Sequence, residues 1–244
     1  MHIAWYSNHP TAPTGYGQQT AQVTKRLMDA GHEVSILANF GGPGAGCGIT
    51  EWNGATVYPQ GTTQYSTDVV DAVVKRIKPD FVITLYDVWV LNKDQFAGTP
   101  TLSWVPVDHY PVSPQVVDWL KGTDATGGPR PSVAMARYGQ DALAASGVES
   151  GYIPHAIETT FAPSDGMAAR KRMAVPEDAF FIGINAANIG VHPPRKAWAE
   201  NLQAVARLMA QHDDAYIYLH TDLQRPNGAD LRHLIALLGI DGDR

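Results

Sequence analysis

One cysteine, Cys47, stands in 244 residues, which excludes an intrachain disulfide and any cysteine cluster for zinc. No stretch approaches the ~18 uninterrupted apolar residues that a membrane-spanning helix needs. The N-terminus has no basic segment with an apolar core behind it, since His2 to Tyr6 runs straight into polar loop; no secretory signal is expected, and a cytoplasmic location is the simplest fit. Basic residues are outnumbered, 18 Lys and Arg against 24 Asp and Glu for a net charge of −6, so no nucleic-acid surface is expected and the partner is a small molecule. No GK[ST], HExxH or GxSxG pattern is present. The one DxD, Asp241-Gly242-Asp243, has no strand before it and reads as a polar tail.

What is present is alternation. Apolar or β-branched runs at Ile3–Tyr6, Val34–Ala38, Phe81–Tyr86, Thr101–Val105, Val133–Ala136, Phe180–Ile184 and Tyr216–His220 have the length of buried strands. Amphipathic stretches such as Asp68–Ile77, Tyr138–Ala145, Lys196–Gln211 and Ala229–Leu238 lie between many of them. This order predicts βαβ units and a doubly wound, mostly parallel α/β sheet covered on both faces. A proline-marked, charged seam near residues 154–178 divides the chain into a Rossmann-like domain at 1–160, a linker at 161–178 and a partial second Rossmann-like domain at 179–244.

The first strand leaves through SNHPTAPTGYGQQT, a glycine-bearing turn followed by apolar residues at helical spacing. Such a turn offers backbone N–H groups and a helix N-terminus to an anion, although glycines are also the ordinary material of tight turns. It is a poor dinucleotide fingerprint: Gly15 and Gly17 match, but the third position holds Thr20, and the second strand ends in Ala38-Asn39 with no acid for a ribose. GGPGAGCG, residues 41–48, follows a strand without opening a helix and reads as a flexible loop, a candidate lid.

The segment PSVAMARYGQDALAASGVESGYIPHAIETTFAP resembles the end of the N-terminal domain in family 4 glycosyltransferases of the GT-B fold. Ile153, Pro154, His155, Ile157, Phe161 and Pro163 fall in the register of that family's stretch into the interdomain linker. RMAVPEDAFFIGINAANIGVHPPRKAWAENLQAVARLM resembles the first strand of its C-terminal domain, the loop ending in Arg-Lys, and the helix beyond.

The resemblance implies transfer of a sugar from a nucleotide-diphosphate sugar to an acceptor, with retention of configuration, no bound metal and no cofactor. Charge grows on the leaving phosphate as the glycosidic bond breaks, and fixed positive partners answer it. Gly15, Tyr16, Gly17, Arg195 and Lys196 are the implied donor-phosphate group. Where the family often carries a further Arg or Lys, this chain has Asn185 and Asn188. Asp108 and His109, after a mid-domain strand, are the implied catalytic pair, holding a sugar hydroxyl or supporting the proton that leaves the acceptor. Tyr86, Asp87 and Trp89 are acceptor-side candidates, the last as a stacking platform.

The family's paired glutamates would lie beyond Arg244. The expectation is therefore a transferase truncated within its donor domain, weak or inactive alone, with the incomplete domain open to self-association. Two alternatives stand beside it: a non-catalytic acceptor-binding or partner-completed module, and a GT-B-like nucleotide-sugar epimerase.

Overall fold

A computed structural model describes residues 1–92, 94–96, 98–123, 127–128, 130–190, 196–240 and 242. The chain divides into two compact units, Met1–Glu158 and Thr159–Arg244.

In the first unit β1 (His2–Ser7) is apolar on both faces because both faces are covered: Ile3, Ala4, Trp5 and Tyr6 are all buried. The chain then forms α1 (Gly15–Asp29), β2 (Glu33–Ala38), β3 (Thr50–Trp52), β4 (Ala55–Tyr58) and α2 (Val70–Ile77). It returns as β5 (Phe81–Leu85), β6 (Thr101–Val105), α3 (Pro114–Lys121), β7 (Ser132–Ala134), α4 (Arg137–Ala145) and β8 (Gly151–Tyr152). The eight strands run in the order β3-β4-β2-β1-β5-β6-β7-β8. Every pairing is parallel except the β3–β4 hairpin, whose two-residue turn places Asn53 and Gly54 at positive φ, as a tight hairpin turn requires.

Alternate residues of the strands feed two cores. Trp5, Ile36, Val57, Leu85 and Trp104 pack beneath α1, whose Tyr16, Val23, Leu27 and Met28 cover them. Tyr6, Leu37, Val82 and Val105 pack on the other face against Val70 and Val74 of α2, Trp119 and Leu120 of α3, and Leu143 of α4. Each such side chain contributes roughly 1.5–3 kcal/mol on burial, which is why helices this short hold on the sheet. The inner face of α1 also carries polar groups, each satisfied. Thr20 Oγ1 accepts the Trp5 indole N–H at 3.1 Å, and Gln19 exchanges two hydrogen bonds with the backbone of Ala156. That exchange, with Arg26 3.5 Å from Glu158, ties the segment after β8 along α1.

The second unit holds α5 (Gly166–Arg172), β9 (Phe180–Asn185), α6 (Trp198–Met209), β10 (Ala215–His220) and α7 (Leu231–Leu237), with β9 and β10 paired in parallel. Trp198, Leu202 and Leu231 are its buried centre. Arg170 donates to the carbonyls of Pro176 and Ala179 and lies over the Phe181 ring. Among the described residues no helix is long and apolar enough to cross a membrane.

Candidate functional site

The chain walks outward from β1 through β2 to β4, then returns to the other side of β1 as β5. At such a reversal the connections leaving the carboxyl ends of the two central strands diverge, and a crevice opens between them. Here it is a hollow of about 530 Å³, lined by Asn8 after β1, Asn39 and Phe40 after β2, Tyr86 and Asp87 after β5, Tyr16 of α1, and residues 60–65.

The β1–α1 turn forms one side. Thr14 caps α1: its Oγ1 accepts from Gly17 N–H at 3.0 Å and from the Asn8 amide at 2.8 Å, so the cap also orients Asn8. The Gly17 N–H is thus engaged, whereas those of Gly15 and Tyr16 head the helix. The two glycines differ sharply. A Cβ on Gly17 would stand 2.3 Å from the Ala12 carbonyl oxygen, while one on Gly15 would meet nothing within 4 Å.

Four tyrosines gather at the back of the hollow. Tyr86 stacks on Tyr6 with centroids 5.5 Å apart, meets Tyr65 edge-on at 5.4 Å, and lies 6.3 Å from Tyr16. The Tyr16 hydroxyl lies close enough to the Asp87 carboxylate to feel its charge. Burial first, then the negative charge of Asp87, holds the Tyr16 phenol well above the ordinary tyrosine range, and burial first, then the Tyr6 and Tyr65 phenols and after them Asp87, does the same for Tyr86. Both stay neutral hydrogen-bonding groups throughout the physiological range.

Residues 60–68 make the opposite wall and carry unusual backbone. Tyr65 and Ser66 both lie at positive φ, 67° and 57°, which costs on the order of 1–3 kcal/mol each for non-glycine residues. Neighbours hold them there: the Tyr6 hydroxyl donates to the Tyr65 carbonyl, and Ser66 Oγ accepts Gly61 N–H at 3.0 Å. Asp68 accepts from Thr62 N–H at 2.8 Å, Thr62 Oγ1 at 2.7 Å and Thr63 Oγ1 at 2.9 Å. These bonds, the Thr62 hydroxyl foremost, push the Asp68 carboxyl far below its usual range. The brace is therefore intact above the ordinary carboxylate pKa and weakens only as pH falls through the depressed value.

Asn39 is 8% exposed, and its backbone N–H donates to the Ser7 carbonyl at 3.0 Å. Its side chain lies close enough to the Tyr6 hydroxyl to lower that phenol's pKa against the stronger effect of burial. Yet neither amide atom of Asn39 has a partner of hydrogen-bond geometry among the described residues. A buried, unpaired amide costs about 1–3 kcal/mol and calls for an explanation.

Of the residues singled out in the sequence, Tyr16, Tyr86 and Asp87 line this hollow. Asp108 is exposed, with an oxygen 2.7 Å from His109 Nδ1, and its charge is felt at the Tyr16 hydroxyl. Trp89 lines a different hollow, of about 670 Å³, beside Gln95, Trp119 and Arg130. Lys196 is exposed two residues before α6; Arg195 lies outside the described residues, as do Asp241 and Asp243. Asn188, found where a cation was sought, is a structural bracket of the second unit. Its amide nitrogen donates to the Asp222 and Ala229 carbonyls, and its oxygen accepts Ala229 N–H. In the candidate lid, Gly41 and Gly42 lie against Ala12 and His9, while Gly44, Gly46 and Gly48 have open space around them.

Asn8, Asn39, Phe40 and the 60–65 wall were not singled out in the sequence. A signal existed for Asn39, the polar residue that ends β2 where a nucleotide-binding sheet would carry an acid. None existed for the wall, which lacks periodicity. Among the described residues, no group of three or more His, Cys, Asp or Glu is arranged to hold a metal ion.

No protein-family model matches the chain, and no curated protein matches it. Solved structures do. Sucrose-phosphate synthase from Thermosynechococcus elongatus superposes with a TM-score of 0.70 at 15% identity, covering 100% of this chain and 69% of that one. WaaG, a glycosyltransferase involved in lipopolysaccharide biosynthesis, gives 0.65 at 12%, covering 98% and 68%. MnaA of S. aureus, solved with UDP, gives 0.57 at 14%, covering 100% and 66%.

The chain has the GT-B fold. It spans about two thirds of the length of each GT-B protein it matches, and at these identities the likeness is one of fold alone. Within that GT-B frame the first unit is the doubly wound, mostly parallel sheet expected from the sequence, and the second pairs two parallel strands with helices.

Proposed function

We propose that the chain is part of a family 4 glycosyltransferase that moves a sugar, with retention and without a metal, from a nucleotide-diphosphate sugar to an acceptor seated in the hollow of the first unit. The observation that carries this reading is the hollow's position. It opens at the carboxyl ends of β1, β2 and β5, at the reversal of strand order, in a fold shared along the whole chain with glycosyltransferases. That one of the matched proteins was solved with UDP supports a nucleotide-bearing donor.

In the reaction the bond from the anomeric carbon to the diphosphate breaks, and a bond from that carbon to an acceptor oxygen forms. Lys196, with Arg195, neutralises charge on the departing diphosphate as a compact ammonium and a planar guanidinium can. The free N–H groups of Gly15 and Tyr16 at the head of α1 are the donor-phosphate ligands of the first unit, since Gly17 N–H already serves Thr14. Asp87, beside the Tyr16 hydroxyl, holds an acceptor hydroxyl. Asp108 and His109, already in contact, position the sugar or support the proton that the acceptor gives up. A cytoplasmic site of action and self-association through the second unit belong to the same reading.

Calorimetric titration with UDP, GDP and ADP tests the donor half. At least one is expected to bind with a dissociation constant in the ordinary substrate range of about 1 μM to 1 mM. Lys196→Ala is expected to weaken it roughly 10- to 100-fold, the loss of one charge-assisted contact. Failure of all three to bind, or indifference to the substitution, counts against the assignment.

A further inference from the structure

The chemistry of the hollow narrows what it takes. Among the described residues that line it, only Asp87 is charged and none is Lys, Arg or His. Asn8, Asn39, Gln60, Thr62, Thr63 and Gln64 supply neutral donors and acceptors, and the aromatic rings of Tyr16, Phe40, Tyr65 and Tyr86 supply apolar faces. Phe40, 54% exposed, sits at the rim. Asn39 stands more than nine-tenths buried beside the Tyr6 hydroxyl, and among the described residues neither of its amide atoms has a partner of hydrogen-bond geometry.

We propose that this hollow receives an uncharged saccharide unit, and that Asn39 is the residue that selects it. The inference rests on the reading of the hollow as an acceptor subsite. An amide presents one donor group and one acceptor atom side by side. A sugar hydroxyl, which both donates and accepts, answers both at once, whereas a phosphate only accepts and an ammonium only donates. Aromatic rings take the C–H face of a pyranose, and side-chain amides and hydroxyls take its edge. A phosphorylated sugar would bring its charge to a lining without a cation and toward the Asp87 carboxylate, with the charge of Asp108 close by at Tyr16. The energetic logic explains Asn39 as well. An unpaired buried amide destabilises the free protein and is satisfied only when a ligand arrives, so stability is given up for selectivity.

The test is a titration followed by NMR on the whole chain without nucleotide, using glucose, galactose and mannose beside glucose 6-phosphate. At least one neutral hexose is expected to bind with a dissociation constant on the order of 1 mM, as suits a ligand of about a dozen heavy atoms. Glucose 6-phosphate is expected to bind at least about tenfold more weakly. Asn39→Leu, close in shape and apolar, is expected to weaken the hexose at least about tenfold while leaving the melting temperature unchanged or raised by about 2–4 °C. A merely structural asparagine would give the opposite, a lowered melting temperature with sugar binding kept. Binding of glucose 6-phosphate more tightly than any neutral hexose overturns the proposal, as does absence of binding by all three hexoses. The wild-type comparison stands even if the variant fails to fold. Hexose binding without binding of any of UDP, GDP and ADP would remove the transferase reading and leave this one; nucleotide binding without hexose binding would do the reverse.

Discussion

Gly17→Ala is expected to lower the melting temperature by about 4–8 °C, while Gly15→Ala leaves it unchanged or raises it. Both positions are helical, so alanine brings each a propensity gain approaching 1 kcal/mol. At Gly15 nothing opposes that gain, because a Cβ there meets no atom within 4 Å. At Gly17 the new methyl would stand 2.3 Å from the Ala12 carbonyl oxygen and 2.9 Å from that of His9. Neither can step aside. His9 N–H donates to Phe40 O at 2.8 Å, Ala12 N–H to His9 O at 2.9 Å and Thr14 N–H to Ala12 O at 2.7 Å, so the turn is pinned at three points. Overpacking against fixed backbone costs about 1–3 kcal/mol and occasionally more. With the pinned carbonyls placing it at the upper end, the net loss is about 2 kcal/mol. Thermal unfolding of the two variants side by side checks it, and equal melting temperatures would contradict the account of this turn.

The second large effect is expected in ligand binding. Gly61→Ala would put a Cβ 1.9 Å from Asp68 Oδ1 and 2.6 Å from its Cγ. The carboxylate must swing away, and its bonds to Thr62 and Thr63 go with it. Those bonds hold the wall opposite Tyr86, so hexose affinity is expected to fall at least about tenfold, the scale of losing one or two positioned polar contacts. The melting temperature should move by only a few degrees, because Thr62, Thr63 and Asp68 are exposed. Asp68→Ala, which removes the brace without a clash, is expected to reproduce the binding defect. If both variants bind hexose as wild type does, the wall has no part in the site.

The alternation of apolar runs and amphipathic stretches was enough for the doubly wound sheet, since a strand covered on both faces, such as β1 or β5, must be apolar throughout. The elements that escaped are short or irregular. β3 and β4 span three and four residues, too few for periodicity to show, although Asn53-Gly54 carries a hairpin signal. α3 begins at Ser113-Pro114, a start signal in a stretch that reads as loop because of its prolines.

The candidate site divides in the same way. Tyr86 and Asp87 were legible because they end a strand, where crevices of open sheets form. Asp68, placed by periodicity at the start of a helix, instead precedes α2 by two residues and braces the wall. Asn39 becomes informative only once its burial and its lack of partners are known, and neither is written in residue order. The left-handed backbone at Tyr65 and Ser66 is set by contacts with Tyr6 and Gly61, distant or turn-local, that no local pattern encodes.

The central claim is that the hollow at the strand-order reversal holds the acceptor of a glycosyl transfer. Titration of neutral hexoses followed by NMR, in the wild type and in Asp87→Asn, tests it most directly, because the chain alone is expected to turn over weakly or not at all. The expected result is hexose binding that Asp87→Asn weakens at least about tenfold, the loss of one charge-assisted hydrogen bond. Hexose binding that is indifferent to Asp87→Asn, or no hexose binding, would contradict it.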